Sequence, residues 1–436
     1  MSYLLSVAKF GGSSLATSEI VSKVRNIITD DNRRKIAVVS APGRKNKSDK
    51  KVTDMLIELA GNKDSKLINE ILGRYEDIYP GQDIDEIRNI LLERVKKDLP
   101  FPAYLDSLKA FGEEAQARLL ARIMDAVYID PSEILVVTND FGNAVILEDS
   151  KRKIKDRISL DRLVVIPGFY GYSANGELVT FSRGGSDLTG AYVASCFDNV
   201  IYENFTDTNG VFAADPKLVD NPAKIDEITY EELRDLAYSG FTVFHAEAMK
   251  PVKNAKIPVH IRNTFTYPSE GTYVVNDREA DKPIVGIAYK NGFCSFNVEM
   301  TGLNDSKGIL NRITSFFSSR NKSIEHIITG IDDVTVVAMR DEFSDAEIDE
   351  VKTDLYGLGE NATVVCKDNV GCLVVAGKGL RGHIGISGEI QRSLAFNGVN
   401  IEFITQGSLE RCIIYGIEHR DNMKAVNAVY NRFFKG

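Results

Sequence analysis

The segment 9–14, with the sequence KFGGSS, combines two glycines with an ammonium and hydroxyl groups directly after a run of residues typical of a β-strand. Paired glycines such as Gly11 and Gly12 let a backbone approach a ligand closely and turn its N–H groups toward it. A following helix and the ammonium of Lys9 add positive potential, so this loop, which includes Ser13, predicts contact with a polyphosphate. A strand-end turn with a solvated lysine is the alternative, since no GxxxxGK[ST] motif occurs in the chain.

A second glycine loop, FSRGGSD at 181–187, also follows a strand-like run and opens a helical pattern. Ser186 and Asp187 have side chains that cap helix N-termini, and capping alone would explain them. It does not explain Arg183, whose guanidinium can bind a carboxylate through two hydrogen bonds.

A third loop, at 204–212, places Thr206 and Asp207 after another strand-like run, although its composition also fits an ordinary hairpin or turn. Strand-like and helical segments alternate over the first two-thirds of the chain. We therefore expect a largely parallel sheet covered by helices on both faces. Ligands of such sheets bind at the carboxyl ends of the strands, so these loops and the one at Ser40 are the places where a site would form.

The elements that position these loops are predicted from hydrophobic periodicity. The predicted strands are 4–10, 36–40, 134–138, 163–167, 178–181, 200–206 and 258–261. The predicted helices are 53–60, 67–75, 84–98, 113–125, 187–197, 229–239 and 246–254, with a further helix beginning near Ser18.

After about residue 282 an internal repeat replaces this alternation. The segments 308–309 and 323–327 recur at 385–386 and 400–404, with a constant offset of 77 residues. Each copy predicts the order strand, loop, helix, strand, strand. Two copies indicate a tandem domain duplication rather than a solenoid.

Composition limits the classes of function. The chain has 436 residues, 43% of them hydrophobic and 26% charged, as expected of a globular protein of about two to four domains. A formal net charge of −9 argues against a nucleic-acid partner. The sequence has no signal-peptide pattern and no apolar run of about 20 residues, so we expect no membrane association. Five cysteines without a CxxC pair favour a reduced, cytoplasmic protein, and no histidine spacing indicates a metal site.

Taken together, the loops resemble the amino-acid kinase family, and within it the aspartate kinases. The matching motifs are KFGGSS from Lys9, VVSAPG from Val38, KVTDML from Lys51, GEEAQARLLA from Gly112, PGFYG from Pro167, FSRGGSDLTGA from Phe181 and NFTDTNGVFAADPK from Asn204. GVNIE at 398–402, followed by QGS at 406–408, is similar to the ACT domains of the same enzymes.

The resemblance implies an α/β amino-acid kinase fold, a mostly parallel sheet sandwiched by helices, followed by tandem ferredoxin-like ACT domains. The catalytic domain would span residues 1–283, with an aspartate-binding lobe at about 1–160 and an ATP-binding lobe at about 161–283. The regulatory region would span 284–436, with repeats at about 294–367 and 370–436. No homoserine dehydrogenase region follows, so we expect a monofunctional kinase.

The resemblance also implies substrates and residue roles. ATP with Mg²⁺ would be the phosphoryl donor and L-aspartate the acceptor. Lys9 would neutralise charge on the transferring phosphoryl group, and Asp187 would orient that lysine. The residues implied to hold aspartate are Thr53, Glu113, Arg183 and Ser186, with Glu113 on the ammonium and Arg183 on the α-carboxylate. The residues implied to surround ATP are Lys9, Gly11, Gly12, Ser13, Ser40, Thr206, Asp207, Phe212 and Lys217. No protein ligand for a metal is implied.

Three positions depart from the commoner family pattern near the nucleotide. Thr242 stands where many relatives have a lysine, Phe212 where tyrosine is usual, and Lys217 where arginine is usual. The lost ammonium would be replaced, if at all, by Lys250 or Lys253. These departures concern how ATP is held rather than which reaction occurs.

Two other functions are weighed against an aspartate kinase. Another member of the fold would phosphorylate glutamate, acetylglutamate or a nucleoside monophosphate, but the FSRGGSD element and the tandem repeat argue against it. A non-catalytic amino-acid sensor is supported by Thr242 alone.

Regulation by an amino acid is expected in the repeat region. The predicted effector site is Ser323, Ile324 and Glu325, and lysine is favoured because a carboxylate suits its ammonium groups. Glu325 is alternatively a solvated strand residue like its repeat counterpart Glu402. ACT-type repeats usually pair across subunits, so we expect a homodimer or homotetramer.

Overall fold

The structure is a computed structural model that describes residues 4–238 and 246–435. The chain forms two compact units. The first comprises Met1–Val211, Lys224–Tyr230 and Thr242–Arg278, and the second comprises Phe212–Ala223, Glu231–Phe241 and Glu279–Gly436. The domain boundary near residue 283 stays a prediction.

Strands and helices are numbered here in chain order. The strands are β1 (Leu5–Phe10), β2 (Arg34–Val39), β3 (Val127–Tyr128), β4 (Val136–Val137), β5 (Val164–Pro167), β6 (Tyr170–Ser173), β7 (Leu178–Thr180), β8 (Val200–Thr206), β9 (Val211–Phe212), β10 (Lys224–Ile225), β11 (Glu227–Thr229), β12 (Val259–Asn263), β13 (Thr272–Val275), β14 (Gly286–Glu299), β15 (His326–Thr329), β16 (Asp333–Met339), β17 (Thr363–Ala376), β18 (Phe403–Gln406) and β19 (Cys412–Glu418). The helices are α1 (Ser18–Thr29), α2 (Val52–Asn62), α3 (Ser65–Ile78), α4 (Asp85–Lys96), α5 (Phe101–Ile123), α6 (Pro131–Ile134), α7 (Asp149–Arg157), α8 (Gly185–Ser195), α9 (Tyr230–Tyr238), α10 (Ala246–Asn254), α11 (Ile309–Ser318), α12 (Asp345–Tyr356), α13 (Ile386–Phe396) and α14 (Asn422–Tyr430).

The first unit is built on an eight-stranded sheet in the order β11-β13-β12-β8-β1-β2-β5-β3. The five neighbours from β12 to β5 run parallel, which confirms the predicted parallel sheet. Parallel strands end at one edge of a sheet, so β1, β2 and β8 deliver their following loops to the same place.

The predicted strand 178–181 does not belong to the main sheet, where it was expected. β7 pairs with β6 in a separate three-stranded sheet that also contains β4, and it is not part of the main sheet. The FSRGGSD loop therefore does not arrive from the carboxyl edge of the main sheet. It reaches that edge because α8, which follows the loop, packs across β1 and β8.

Helix α5 is about twice as long as the predicted helix 113–125, because it begins at Phe101. Pro102 near its start is tolerated because the first turn of a helix needs no N–H donor there. Tyr104, Leu108 and Phe111 continue the apolar face at helical spacing and are buried. The prediction 134–138 was also wrong in part, since α6 ends at Ile134 and the strand β4 is two residues long.

The second unit contains an antiparallel six-stranded sheet in the order β15-β16-β14-β17-β19-β18. The two repeats meet at its centre, where β14 pairs with β17. Each repeat has the predicted order strand, helix, strand, strand. The buried helix residues recur at the offset of 77, namely Ile309, Ile313 and Phe317 in α11 and Ile386, Ile390 and Leu394 in α13. The predicted fold class, a mixed α/β protein with a parallel-rich sheet, is confirmed.

Within residues 4–238 and 246–435, no helix combines the length and the apolar character needed to cross a bilayer.

Candidate active site

Lys9 and Asp187 form an ion pair at the carboxyl edge of the main sheet. Lys9 is the penultimate residue of β1, and its Nζ lies 2.5 Å from Oδ1 of Asp187 in the first turn of α8. The side chains of both residues are largely buried, with 8% and 13% of their surface exposed. An ammonium held in this way at the end of a strand is a fixed positive charge of the kind that phosphoryl transfer needs.

A glycine allows α8 to lie close enough for this pair to form. A Cβ at Gly190 would lie 2.7 Å from the ring of Tyr202 and 3.2 Å from Cβ of Lys9. The Tyr202 hydroxyl also donates to the Asp187 carbonyl at 3.3 Å, which fixes the helix over β8. The start of α8 depends on Gly184, which is its N-cap at φ 78°, in the left-handed region that favours glycine.

The KFGGSS loop packs against a second glycine turn from the end of β2. Gly43 N–H donates to the Gly12 carbonyl at 2.8 Å, and a Cβ at Gly43 would lie 2.7 Å from the Gly12 carbonyl carbon. Gly11 is anchored on the other side, where its N–H donates to Phe205 at 3.1 Å. Ser13 lies in a short 3-10 helix that follows, and Ser40 is half-buried at the end of β2. Sequence reasoning missed Gly43, although its motif, VVSAPG, carried the signal of a tight turn.

Glu113 is a buried carboxyl on α5 with an unsatisfied oxygen. Its Oε2 has no hydrogen-bond partner among the described residues. Burial raises the pKa of Glu113 to about 8, although hydrogen bonds from the backbone of Ala41 and of Glu113 itself, and the charge of Lys109, lower it. Gly112 permits this approach, since a Cβ there would lie 2.6 Å from Cβ of Ala41. A buried carboxylate with a spare oxygen is a natural acceptor for a ligand ammonium.

Ser186 and Arg183 differ in their surroundings. Ser186 is buried against Gly168, where a Cβ would lie 2.7 Å from Cβ of Ser186. Phe169, the next residue, has φ 77°, a conformation that costs free energy for a non-glycine residue and that recurs at binding sites. Arg183 is exposed and makes no ion pair within the described part of the chain, so its guanidinium is available to a ligand. Thr53 lies in the first turn of α2 and is half-buried.

Asp106, which sequence reasoning missed, ties the loop of Arg183 to the helix of Glu113. Its buried carboxylate accepts hydrogen bonds from Gly142 N–H and from both the N–H and the hydroxyl of Thr180, each at 2.8 Å. Lys109 lies 2.8 Å from the same carboxylate. The sequence offered no signal for this role, because an Asp–Lys pair at i,i+3 is typical of a solvated helix face.

Thr206 is the last residue of β8, and the exposed Asp207 begins the loop that follows. Thr264 N–H donates to the Thr206 carbonyl at 3.0 Å, and the Thr264 hydroxyl lies 2.7 Å from that of Ser14. Through Thr264 this loop is therefore connected to the KFGGSS loop.

Two predicted nucleotide residues and the proposed replacements for a lost lysine contact are described by the unit to which they belong. Phe212 and the exposed Lys217 belong to the second unit. Thr242 lies outside the described residues. Lys250 is exposed on α10 of the first unit. Their roles toward ATP stay predictions.

The predicted effector residues directly precede β15 in the second unit. Ser323 is exposed, whereas Ile324 and Glu325 are half-buried. Burial, and secondarily the charge of Glu342, raise the pKa of Glu325. Glu342 also accepts a hydrogen bond from Ser323 N–H at 2.9 Å, so two carboxylates flank this segment. Sequence reasoning missed Glu342.

Comparisons with known proteins decide the family. Residues 5–263 match the model of the amino acid kinase family, and residues 373–433 match that of an ACT domain. Aspartokinase 3 of Bacillus subtilis is 37% identical over 454 residues, an alignment that covers 99% of each chain. The chain belongs to the amino acid kinase family and, within it, to the aspartokinases.

Solved structures agree with this membership. The aspartate kinase of Clostridium acetobutylicum, described as an allosteric enzyme, is 34% identical with a TM-score of 0.91, covering 98% of this chain and 100% of that one. Aspartokinase III of E. coli, solved in complex with aspartate and ADP, is 22% identical with a TM-score of 0.76, covering 99% and 100% of the two chains. The second likeness concerns the fold alone. The predicted amino-acid kinase fold with a C-terminal ACT region is confirmed.

Proposed function

We propose that the protein transfers the γ-phosphoryl group of ATP to the β-carboxylate of L-aspartate, giving 4-phospho-L-aspartate. The observation that carries the proposal is the buried Lys9 ammonium, held by Asp187 at 2.5 Å beside two packed glycine turns. Because the chain belongs to the aspartokinases, we infer that the acceptor is aspartate.

The chemistry requires little beyond charge neutralisation. A side-chain carboxylate with a pKa near ~4 is already ionised at neutral pH, so no general base is needed. Two anions must instead be brought together in line. Lys9 neutralises the transferring group, and Asp187 positions Lys9.

Glu113 and Arg183 hold the two charged groups of the amino acid. The spare oxygen of Glu113 accepts the α-ammonium, whose charge favours the ionised carboxylate and so offsets the effect of burial. Arg183 binds the α-carboxylate, which leaves the β-carboxylate directed toward Lys9. Thr53 and the buried Ser186 contribute hydroxyl groups.

ATP is held by the backbone of Gly11, Gly12 and Ser13, with Ser40 beside the phosphates. Thr206 and Asp207 line the nucleotide. Within the described ranges, no group of three or more His, Cys, Asp or Glu side chains is arranged to hold a metal ion. Mg²⁺ would be bound mainly by phosphate oxygens and water, and the exposed Asp207, which directly follows β8, would be a protein contact for it. When bound, the ion neutralises phosphate charge.

A coupled ADP-release assay with L-aspartate, with L-glutamate and without an acceptor tests the proposal. We expect ADP release that depends on aspartate. Release with glutamate would indicate a different acceptor, and no release under any condition would indicate a sensor.

The second unit regulates this reaction. An amino acid, with lysine favoured, binds at Ser323, Ile324 and Glu325, where Glu325 and Glu342 provide negative charge. The chain assembles as a homodimer or homotetramer through its ACT repeats and acts in the cytoplasm. Its product enters the biosynthesis of lysine, threonine and methionine.

A further inference from the structure

We propose that Asn204 is a positioning residue of the phosphoryl-transfer site. Its amide shares the Asp187 carboxylate with Lys9, so the Lys9 ammonium is able to move onto the phosphoryl group. The inference rests on the proposed role of Lys9. Asn204 Nδ2 donates to Oδ1 of Asp187 at 2.9 Å, and the Lys9 Nζ lies 2.5 Å from that same oxygen.

The register of the sheet makes this arrangement specific. Lys9 on β1 and Asn204 on β8 are paired residues of neighbouring parallel strands, so their side chains leave the same face of the sheet side by side. Asp187 meets both from α8. Asn204 is 3% exposed. Burying an amide costs free energy unless the amide forms hydrogen bonds.

Competition for one oxygen explains what the amide does. A buried ammonium with a single carboxylate partner is held tightly. A second donor to Oδ1 of Asp187 neutralises part of the carboxylate charge and so weakens the ion pair with Lys9. During transfer Lys9 exchanges part of this contact for phosphoryl oxygens, and that exchange is easier when Asn204 keeps the carboxylate satisfied. Asn204 therefore acts through Asp187 without touching a substrate.

The first test is Asn204→Leu, which keeps the side-chain volume and removes the donor. We expect kcat to fall about tenfold or more, in the range of a hydrogen bond to a charged group, with the KM for aspartate and for ATP within about threefold of wild type. Asn297→Leu is the control, since the side chain of Asn297 on β14, in the other unit, also forms a hydrogen bond, which its Oδ1 accepts from the Thr335 hydroxyl. Its kcat without effector should be unchanged.

The second test is Asn204→Asp, which adds a carboxyl next to Asp187 and Lys9. The strand partner of this position on β12 is the apolar Ile261, and the Tyr202 phenol, two residues earlier on the same strand, donates to the Asp187 carbonyl. When it is ionised, the new carboxylate forms a second ion pair with Lys9 and holds the ammonium in place. When it is protonated, it donates a hydrogen bond to Asp187 as the amide does. Burial of this position and the adjacent Asp187 carboxylate should raise the pKa of the new carboxyl well above its usual value near ~4. The kcat of the variant relative to wild type should therefore rise as the pH is lowered from 9 to 6.

Wild-type ADP release with aspartate in the same assay tests the proposed function separately. The role of Asn204 is overturned if Asn204→Leu keeps more than half of the wild-type kcat. It is equally overturned if both variants lose the same activity at every pH, because that result indicates packing alone.

Discussion

Lys9 is the side chain on which the proposed reaction depends most, because its ammonium is buried at the end of β1 and 2.5 Å from Asp187. Lys9→Met keeps the apolar stem and removes the charge. We expect kcat to fall about 10³-fold, the loss typical of a transition-state charge contact. Steady-state kinetics measure this, and circular dichroism checks folding. A variant that retains a tenth of the wild-type kcat would exclude Lys9 from the chemistry.

Glu113 gives a pH-dependent prediction. Its pKa rises from 4.5 to about 8 on folding, because burial disfavours the charged form. Between these values the folded protein holds a proton that the unfolded chain has lost, so this group makes the fold less stable as the pH rises. Glu113→Gln has no such group. Its thermal midpoint relative to wild type should therefore increase from pH 5.5 to pH 8.5.

The same variant should raise the KM for aspartate far more than the KM for ATP, because an amide cannot pair with the substrate ammonium as a carboxylate does. Glu93→Gln is the control, since Glu93 is an exposed residue of α4. A flat difference in midpoint across the pH range would show that Glu113 is not held protonated.

At this scale the sequence predicted which residues matter but not their surroundings. Glu113 was predicted from a motif. Its hydrogen bond from the backbone of Ala41, 72 positions away in the chain, forms only in the fold, where Ala41 lies against Gly112. Asp106 could not be found at all, since its partners Gly142 and Thr180 are distant in sequence.

At the scale of elements, the glycine turns at Gly12 and Gly43 let the loops after β1 and β2 pack against each other. A Cβ at Gly43 would meet the Gly12 backbone at 2.7 Å, so Gly43→Ala must push the KFGGSS loop away. Displacing a positioning loop by about 1 Å costs on the order of 10²-fold, which we expect as a loss of kcat/KM for ATP. Gly61→Ala is the matched control, because a Cβ there, near the end of α2, meets nothing within 4 Å. It should leave kinetics unchanged.

Element positions were predicted where periodicity is strong, as for β8 and α10, which match their predicted bounds. The start of α5 was missed by twelve residues: the helix begins at Phe101, and Pro102 is tolerated in its first turn. The separate sheet of β7 was missed although β6 and β7 form a hairpin whose turn contains Asn175 and Gly176, a local signal. Only the pairing of β4 with β6 joins strands that are distant in sequence.

At the scale of the whole molecule, the repeat at an offset of 77 residues predicted both copies of the second unit. The sequence did not predict that the two copies form one sheet through the pairing of β14 with β17, because a repeat gives no information on how its copies contact each other. Glu325 and Glu342 likewise approach each other only through the fold.

Glu325→Ala should raise the concentration of lysine needed for half-inhibition at least tenfold, within the roughly 1–3 kcal/mol usual for allosteric coupling. Its kcat without effector should stay near the wild-type value. Glu402→Ala is the control from the second repeat, at the offset of 77. Inhibition titrations with each aspartate-derived amino acid measure the effect. If none inhibits wild type at millimolar levels, the repeats serve assembly alone.

Trapping the product tests the central claim most directly. An acyl phosphate reacts with hydroxylamine to give a hydroxamate, so the wild-type protein is incubated with ATP, Mg²⁺, hydroxylamine and either L-aspartate or L-glutamate. Mass spectrometry identifies the hydroxamate, and ADP is measured in parallel. We expect aspartate β-hydroxamate in equal amount to the ADP formed, and none from glutamate. ADP released without hydroxamate, or hydroxamate formed from glutamate instead, would contradict the assignment.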